Sequence, residues 1–115
     1  DLLPHLSDEE KEAWIVDKEA YFCDLARTQI KPVEGLEELI AWIKTNQLKM
    51  AAVTNAPRTN AEMILGGLGL TEKFDLLVIA NECERNKPHP DPYLKAMETL
   101  GLSPEDCCVV EDSVP

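Results

Sequence analysis

Apolar residues change their spacing several times along this chain, and each change marks a new element. Ser7-Asp8-Glu9-Glu10 has the form of a capping box, with Ser7 as N-cap and Glu10 reaching back from the third helical position. A helix is predicted from there to about Thr28, with Trp14, Tyr21 and Leu25 sharing a face and Ile15 and Phe22 alongside. Pro32 separates this segment from the next. From Glu34 to about Asn46, Leu36, Leu39, Ile40 and Ile43 form a helical stripe. Leu48 to Thr54 is a nearly continuous apolar run broken only by Lys49, as suits a strand buried on both faces of a parallel sheet. A second amphipathic helix runs from Arg58 to Leu68 with Ala61, Ile64, Leu65 and Leu68 on one side, and the cluster Gly66, Gly67 and Gly69 ends it.

Asp75 to Ala80 is the next predicted strand. Asp91 caps a further helix with Pro92 at its first position; Tyr93, Ala96, Met97 and Leu100 face inward, and Gly101 closes it. Ser103 to Asp106 is a loop, and Cys107 to Val110 is the last predicted strand. Helix and strand alternate through short loops, the signature of an α/β fold with a parallel sheet flanked by helices. The strands at 48–54 and 75–80 should be parallel neighbours, with the helix at 58–68 as a right-handed crossover between them.

Composition narrows the partners more than the fold. With 115 residues there is one small domain, and an apolar fraction of 44% is ordinary for a globular protein. A net charge of −11, from 22 acidic and 11 basic residues, argues against nucleic acid or an anionic membrane surface as partner. The acid is spread along the chain, as on a solvated surface. No stretch reaches the length of a membrane span, and no signal peptide is visible. Cys23, Cys83, Cys107 and Cys108 form no Cys-x-x-Cys pair, which argues against zinc. They read as small buried residues of a protein in a reducing cytoplasm.

Chemistry gathers where the predicted strands end. Thr54 and Asn55 follow one apolar run, Glu111 and Asp112 follow another, and Lys87 lies in the loop Asn86-Lys87-Pro88-His89-Pro90-Asp91-Pro92-Tyr93. Parallel α/β sheets bind ligands at the carboxyl ends of their strands. A hydroxyl, the backbone N–H groups after it, a lysine and a carboxylate pair suit a phosphate and its divalent cation. Each residue has a plainer role available. Thr-Asn-Ala-Pro also reads as a hydrogen-bonded turn, Lys87 as a solvated lysine and the acidic pair as a loop. Arg58 could reach a phosphate from the start of its helix, but a cation in a first turn is more often solvated. His89, between prolines, reads as structural, and His5 has no partner identifiable from sequence.

Taken together, these residues resemble the haloacid dehalogenase superfamily, in its sugar-phosphate phosphatase and phosphoglucomutase-like branch. Thr54 matches that family's second motif, Lys87 its third and Glu111-Asp112 its fourth, over a span from about Pro32 to the last residue. The resemblance implies a partial Rossmann-like core at 32–115 and the last part of a helical cap, with its hinge, at 1–31. It implies that Thr54, Asn55 and Arg58 hold phosphate or substrate, that Lys87 is catalytic, and that Glu111 and Asp112 bind Mg²⁺. The implied reaction is hydrolysis of a small phosphorylated metabolite, a sugar phosphate, through an aspartyl-phosphate. The alternatives are a phosphoglucomutase-like isomerase and a non-catalytic chain that binds a partner through an open sheet edge. The nucleophile's motif, Asp-x-Asp-Gly-Thr, is absent from these residues. With Asp1 in place of an initiating Met, the chain reads as a piece of an enzyme, inactive by itself. In the family the missing strand lies between those ending at Thr54 and Asp112, so apolar strand edges should be left exposed.

Overall fold

In the computed structural model, which describes residues 4–112, the capping box forms as its residues dictate. Ser7 Oγ accepts from the Glu10 N–H at 3.3 Å, and the Glu10 carboxylate accepts from the Ser7 N–H at 2.8 Å. Helix α1 then runs over Asp8–Gln29, about 33 Å of rod. Helix α2 spans Leu36–Thr45 and leads into strand β1, Ala51–Thr54. Helix α3, Arg58–Gly67, returns the chain to strand β2, Leu76–Ile79. A 3₁₀ turn at Ala80–Glu82 follows, then helix α4, Asp91–Leu100, and a second 3₁₀ turn at Pro104–Asp106. Gly101 ends α4 at φ 69°, a left-handed conformation that glycine adopts without a Cβ penalty.

Strands β1 and β2 are parallel and adjacent, in the register Ala51 with Leu76 through Thr54 with Ile79. The predicted pairing and its α3 connection are therefore present. Asp75 fastens the entry to both strands. Its N–H donates to the Met50 carbonyl and its carboxylate accepts from the Met50 N–H, both at 2.8 Å, with Lys44 Nζ at 3.6 Å. The bond from Met50 N–H, aided by Lys44 and Lys49 and opposed by partial desolvation, lowers the Asp75 pKa. A carboxylate with a depressed folded pKa adds stability above its unfolded pKa, about 3.9, and loses it as pH falls through the folded value. Asp75→Ala should therefore lower the melting midpoint at pH 7. The gap from wild type should narrow below pH ~4 in a series of thermal melts; a gap that stayed constant with pH would show that the carboxylate's charge is not what matters.

Helix α4 packs against both strands, and α1 packs on α3. Val78, Ile79 and Ala80 are buried, as are Pro92 and Ala96 of α4, and among the described residues Ala26, Ile40, Ala61 and Leu70 are the other buried apolar residues of the core. Tyr93, Met97 and Leu100 are half-buried on the same side of α4, as the pattern predicted.

Several expectations change. Cys107 is extended, but residues 107–110 pair with no strand, so no third strand forms among the described residues. The physical reason is that a strand needs a hydrogen-bonded neighbour, and Val110 is instead 90% exposed. Strand β1 is half-buried throughout rather than sealed on both faces, because among the described residues it has a partner on one side alone. Asp91 does not cap α4. Pro90 is the N-cap, Pro92 stands second in the helix, and the Asp91 carboxylate receives Arg85 through two bonds of 2.9 Å. Cys108 is exposed, and the other three cysteines are half-buried.

The predicted apolar face of α1 is also not the packed one. Trp14, Ile15, Tyr21, Phe22 and Leu25 are exposed, whereas Glu19, Cys23, Ala26 and Ile30 turn inward. Asn60 of α3, 5% exposed, explains this choice. Its amide donates to the Glu19 carboxylate, and its carbonyl oxygen accepts from Cys23 Sγ at 3.2 Å. A buried amide must find partners, and α1 supplies them. The long, one-sided α1 gives a radius of gyration of 16.4 Å, against about 13 Å for a compact 100-residue domain.

Candidate functional site

Strand β1 ends at Thr54, and its hydroxyl oxygen accepts from the Ala56 N–H at 3.1 Å. The local turn read from Thr-Asn-Ala-Pro therefore exists. It uses one acceptor position of the hydroxyl, which still has a proton to donate. Helix α3 begins four residues after Thr54, and no side chain caps its first turn. The positive end of its dipole lies just beyond this turn.

Lys87 approaches from the other strand. Its peptide bond to Pro88 is cis. Its ammonium donates to Glu111 Oε2 at 2.6 Å, and the Tyr93 hydroxyl donates to the same oxygen at 2.6 Å. The ammonium also sits 5.4 Å from the centre of the Tyr93 ring, within range of a cation–π attraction. The Lys87 and Glu111 side chains are 18% and 29% exposed, so water screens this pair less than a surface one. Burial alone would lower the Lys87 pKa, but the bonds to Glu111 and Tyr93 outweigh it and raise the pKa above the ordinary lysine value. The bond to Glu111, together with burial, raises the Tyr93 hydroxyl against the opposing effect of Lys87. At neutral pH the lysine is charged and the tyrosine keeps its proton.

Thr54, Asn55, Ala56, Lys87, Pro88, Tyr93, Glu111 and Asp112 line one open cleft of about 470 Å³. The structure thus brings together five of the six residues picked out by sequence. The sixth, Arg58, is not among the cleft's lining residues. Its guanidinium is bound by Glu82 through bonds of 2.9 and 2.6 Å and by Glu62 at 3.4 Å. The Glu82 bond raises the Arg58 pKa and lowers that of Glu82. His89 lines a separate hollow of about 380 Å³ with Asn81, Cys83, Glu84, Arg85 and Asn86.

Tyr93 is the cleft residue that sequence reasoning missed, because its helical spacing marked it as core. The missed signal is its polar tip, in the first turn of a helix that follows the lysine loop directly. The lining carries one ammonium against two carboxylates. A phosphate dianion entering it would meet net negative charge and would need a further cation. Adjacent Glu111 and Asp112 offer hard oxygen donors for that cation. Among the described residues, no set of three or more His, Cys, Asp or Glu side chains gathers as a metal site.

Comparison with known proteins identifies the family. The hydrolase family described as haloacid dehalogenase-like hydrolase matches residues 1–115. The bifunctional riboflavin kinase/FMN phosphatase of Arabidopsis thaliana is 36% identical over 88 residues, which are 76% of this chain and 23% of that protein. The phosphorylated carbohydrates phosphatase of Thermotoga maritima is 32% identical over 97 residues, 84% of this chain and 43% of that one. Among solved structures, the β-phosphoglucomutase of Clostridium difficile superposes with a TM-score of 0.72 at 31% identity, over 90% of this chain and 47% of that chain. This chain spans less than half the length of each of these three relatives.

Proposed function

Because this chain belongs to the haloacid dehalogenase-like hydrolases, we propose that it is the phosphate-holding part of a Mg²⁺-dependent phosphatase whose substrate is a small phosphorylated metabolite, a sugar phosphate. The observation that carries this reading is the meeting of Thr54, Lys87, Glu111 and Asp112 in one cleft. The substrate class follows the Thermotoga relative, whose name specifies phosphorylated carbohydrates. Residues 32–115 are the core in this reading, and residues 1–31 the last part of a helical cap.

Each cleft residue has a role. The Thr54 hydroxyl and the N–H groups from Asn55 onward take phosphate oxygens. Lys87 takes another oxygen and steadies the charge that grows on the phosphoryl group as it transfers. Arg58 would join substrate only by exchanging Glu82 for it. Glu111 and Asp112 would hold Mg²⁺. Two adjacent carboxylates fit this ion, which commonly keeps several waters and takes one or two carboxylates plus substrate oxygens. When bound, Mg²⁺ supplies positive charge against the phosphate. Hydrolysis through an aspartyl-phosphate also needs the Asp-x-Asp motif, which these residues lack. The likeness to a β-phosphoglucomutase supports a second reading, in which the same cleft serves an isomerase that keeps its phosphate.

Inorganic phosphate tests the site without any turnover. In ¹⁵N-resolved titrations, phosphate should shift the amides of Thr54, Asn55 and Lys87, and Mg²⁺ should tighten the binding. Lys87→Ala should weaken it about ten- to a hundredfold, the worth of a hydrogen bond from a charged group, about 1.5–3 kcal/mol. Shifts confined to other parts of the chain would overturn the assignment.

A further inference from the structure

Two of the segments that line the cleft come from different strands, the end of β1 bearing Thr54 and the loop after β2 bearing Lys87. Three asparagines join them. Asn81 stands two residues beyond the end of β2, and its amide donates to the Asn55 carbonyl at 3.0 Å. Its own side-chain oxygen accepts from the Asn86 amide at 3.0 Å. Asn55 follows Thr54, and Asn86 precedes Lys87. The chain of bonds therefore runs from beside the hydroxyl to beside the ammonium.

We propose that Asn81 is a positioning residue that sets the separation between Thr54 and Lys87, and so the affinity of the cleft for phosphate. This rests on the phosphate reading given above. Asn81 is not among the residues lining the cleft, so it acts through its neighbours. A side-chain amide carries its donor and its acceptor on two separate atoms, so one short side chain can reach two groups at once. Asn81 uses the donor for one loop and the acceptor for the other. A loop that is already placed loses less entropy when the ligand orders it. The same signal appears twice in the sequence: an asparagine follows the strand in Val53-Thr54-Asn55 and again in Ile79-Ala80-Asn81.

The test is an inorganic phosphate titration of the whole chain in the presence of Mg²⁺, read by amide shifts, with thermal melting alongside. Asn81→Ala should weaken phosphate about three- to tenfold, the equivalent of one or two ordinary hydrogen bonds, with little change in melting midpoint. Asn81→Asp keeps the acceptor for Asn86 and sets a carboxylate against the Asn55 carbonyl, so it should weaken phosphate at least as much. Asn86→Ala should weaken it too. Asn81→Ala and Asn86→Ala together should cost less than their separate losses combined, because both break one tether. A residue that merely stabilised the fold would instead lower the midpoint and leave the affinity of the folded chain unchanged. Wild-type affinity in Asn81→Ala, with phosphate still bound, would overturn the tether alone. If the wild-type chain shows no phosphate shifts in the two loops, the phosphate reading fails and the inference fails with it.

Discussion

The purified 115-residue chain is expected to release no phosphate from a sugar phosphate above the level of a Glu111→Ala, Asp112→Ala control. The residues proposed to hold charge around a transferring phosphoryl group line one cleft. A covalent route still needs a carboxylate nucleophile, and no Asp-x-Asp occurs anywhere in the sequence. Enzymes accelerate such reactions by about 10⁶-fold or more, and positioning without a nucleophile should lose most of that. Joining the chain to an upstream segment with Asp-x-Asp-Gly-Thr and a whole cap, and continuing it past Pro115, should recover Mg²⁺-dependent hydrolysis. The assay is phosphate release with and without Mg²⁺. Metal-dependent turnover by the chain alone, abolished by Lys87→Ala, would show that one of its own groups is the nucleophile.

The sequence was most legible where local rules and packing agree. The capping box at Ser7 and the glycine stop at Gly101 are set within a few residues, and both formed. The parallel pair β1 and β2 follows from two apolar runs joined by an amphipathic helix, so its partner could be named before its register. Cys107–Val110 was misread because its composition suits a strand, while strand formation depends on a neighbour that composition does not report. The inward face of α1 was misread for a related reason. A hydrophobic stripe says which residues benefit from burial, but Asn60 needed partners and found them in Glu19 and Cys23.

In the cleft, placement at the ends of predicted strands and the family resemblance together picked out Thr54, Asn55, Lys87, Glu111 and Asp112. They did not reveal that Tyr93 and Lys87 share one oxygen of Glu111. Nor did they predict that Glu82 would hold Arg58. Both depend on distances between segments that lie 18 to 24 residues apart.

Ile79→Ala should be the most damaging single change to the fold. Ile79 is 3% exposed, lies level with Thr54 across the sheet, and belongs to a strand covered by α4. Removing a buried isoleucine side chain down to alanine costs about 2–5 kcal/mol, as lost burial plus the cavity left behind. Whole domains hold about 5–15 kcal/mol. This chain leaves one face of α1 and much of β1 uncovered, so the loss should take most of its stability. Urea unfolding should show a midpoint shifted far down for Ile79→Ala and by much less for Ile79→Val, which costs about 0.5–1.5 kcal/mol. Val110→Ala, at a 90% exposed position, should leave the midpoint unchanged. The site should fail with the core, since Ile79 supports Thr54 beside it and Asn81 two residues on. If Ile79→Ala and Val110→Ala moved the midpoint equally little, the β2–α4 contact would not be the sealed core that holds the two cleft loops in place.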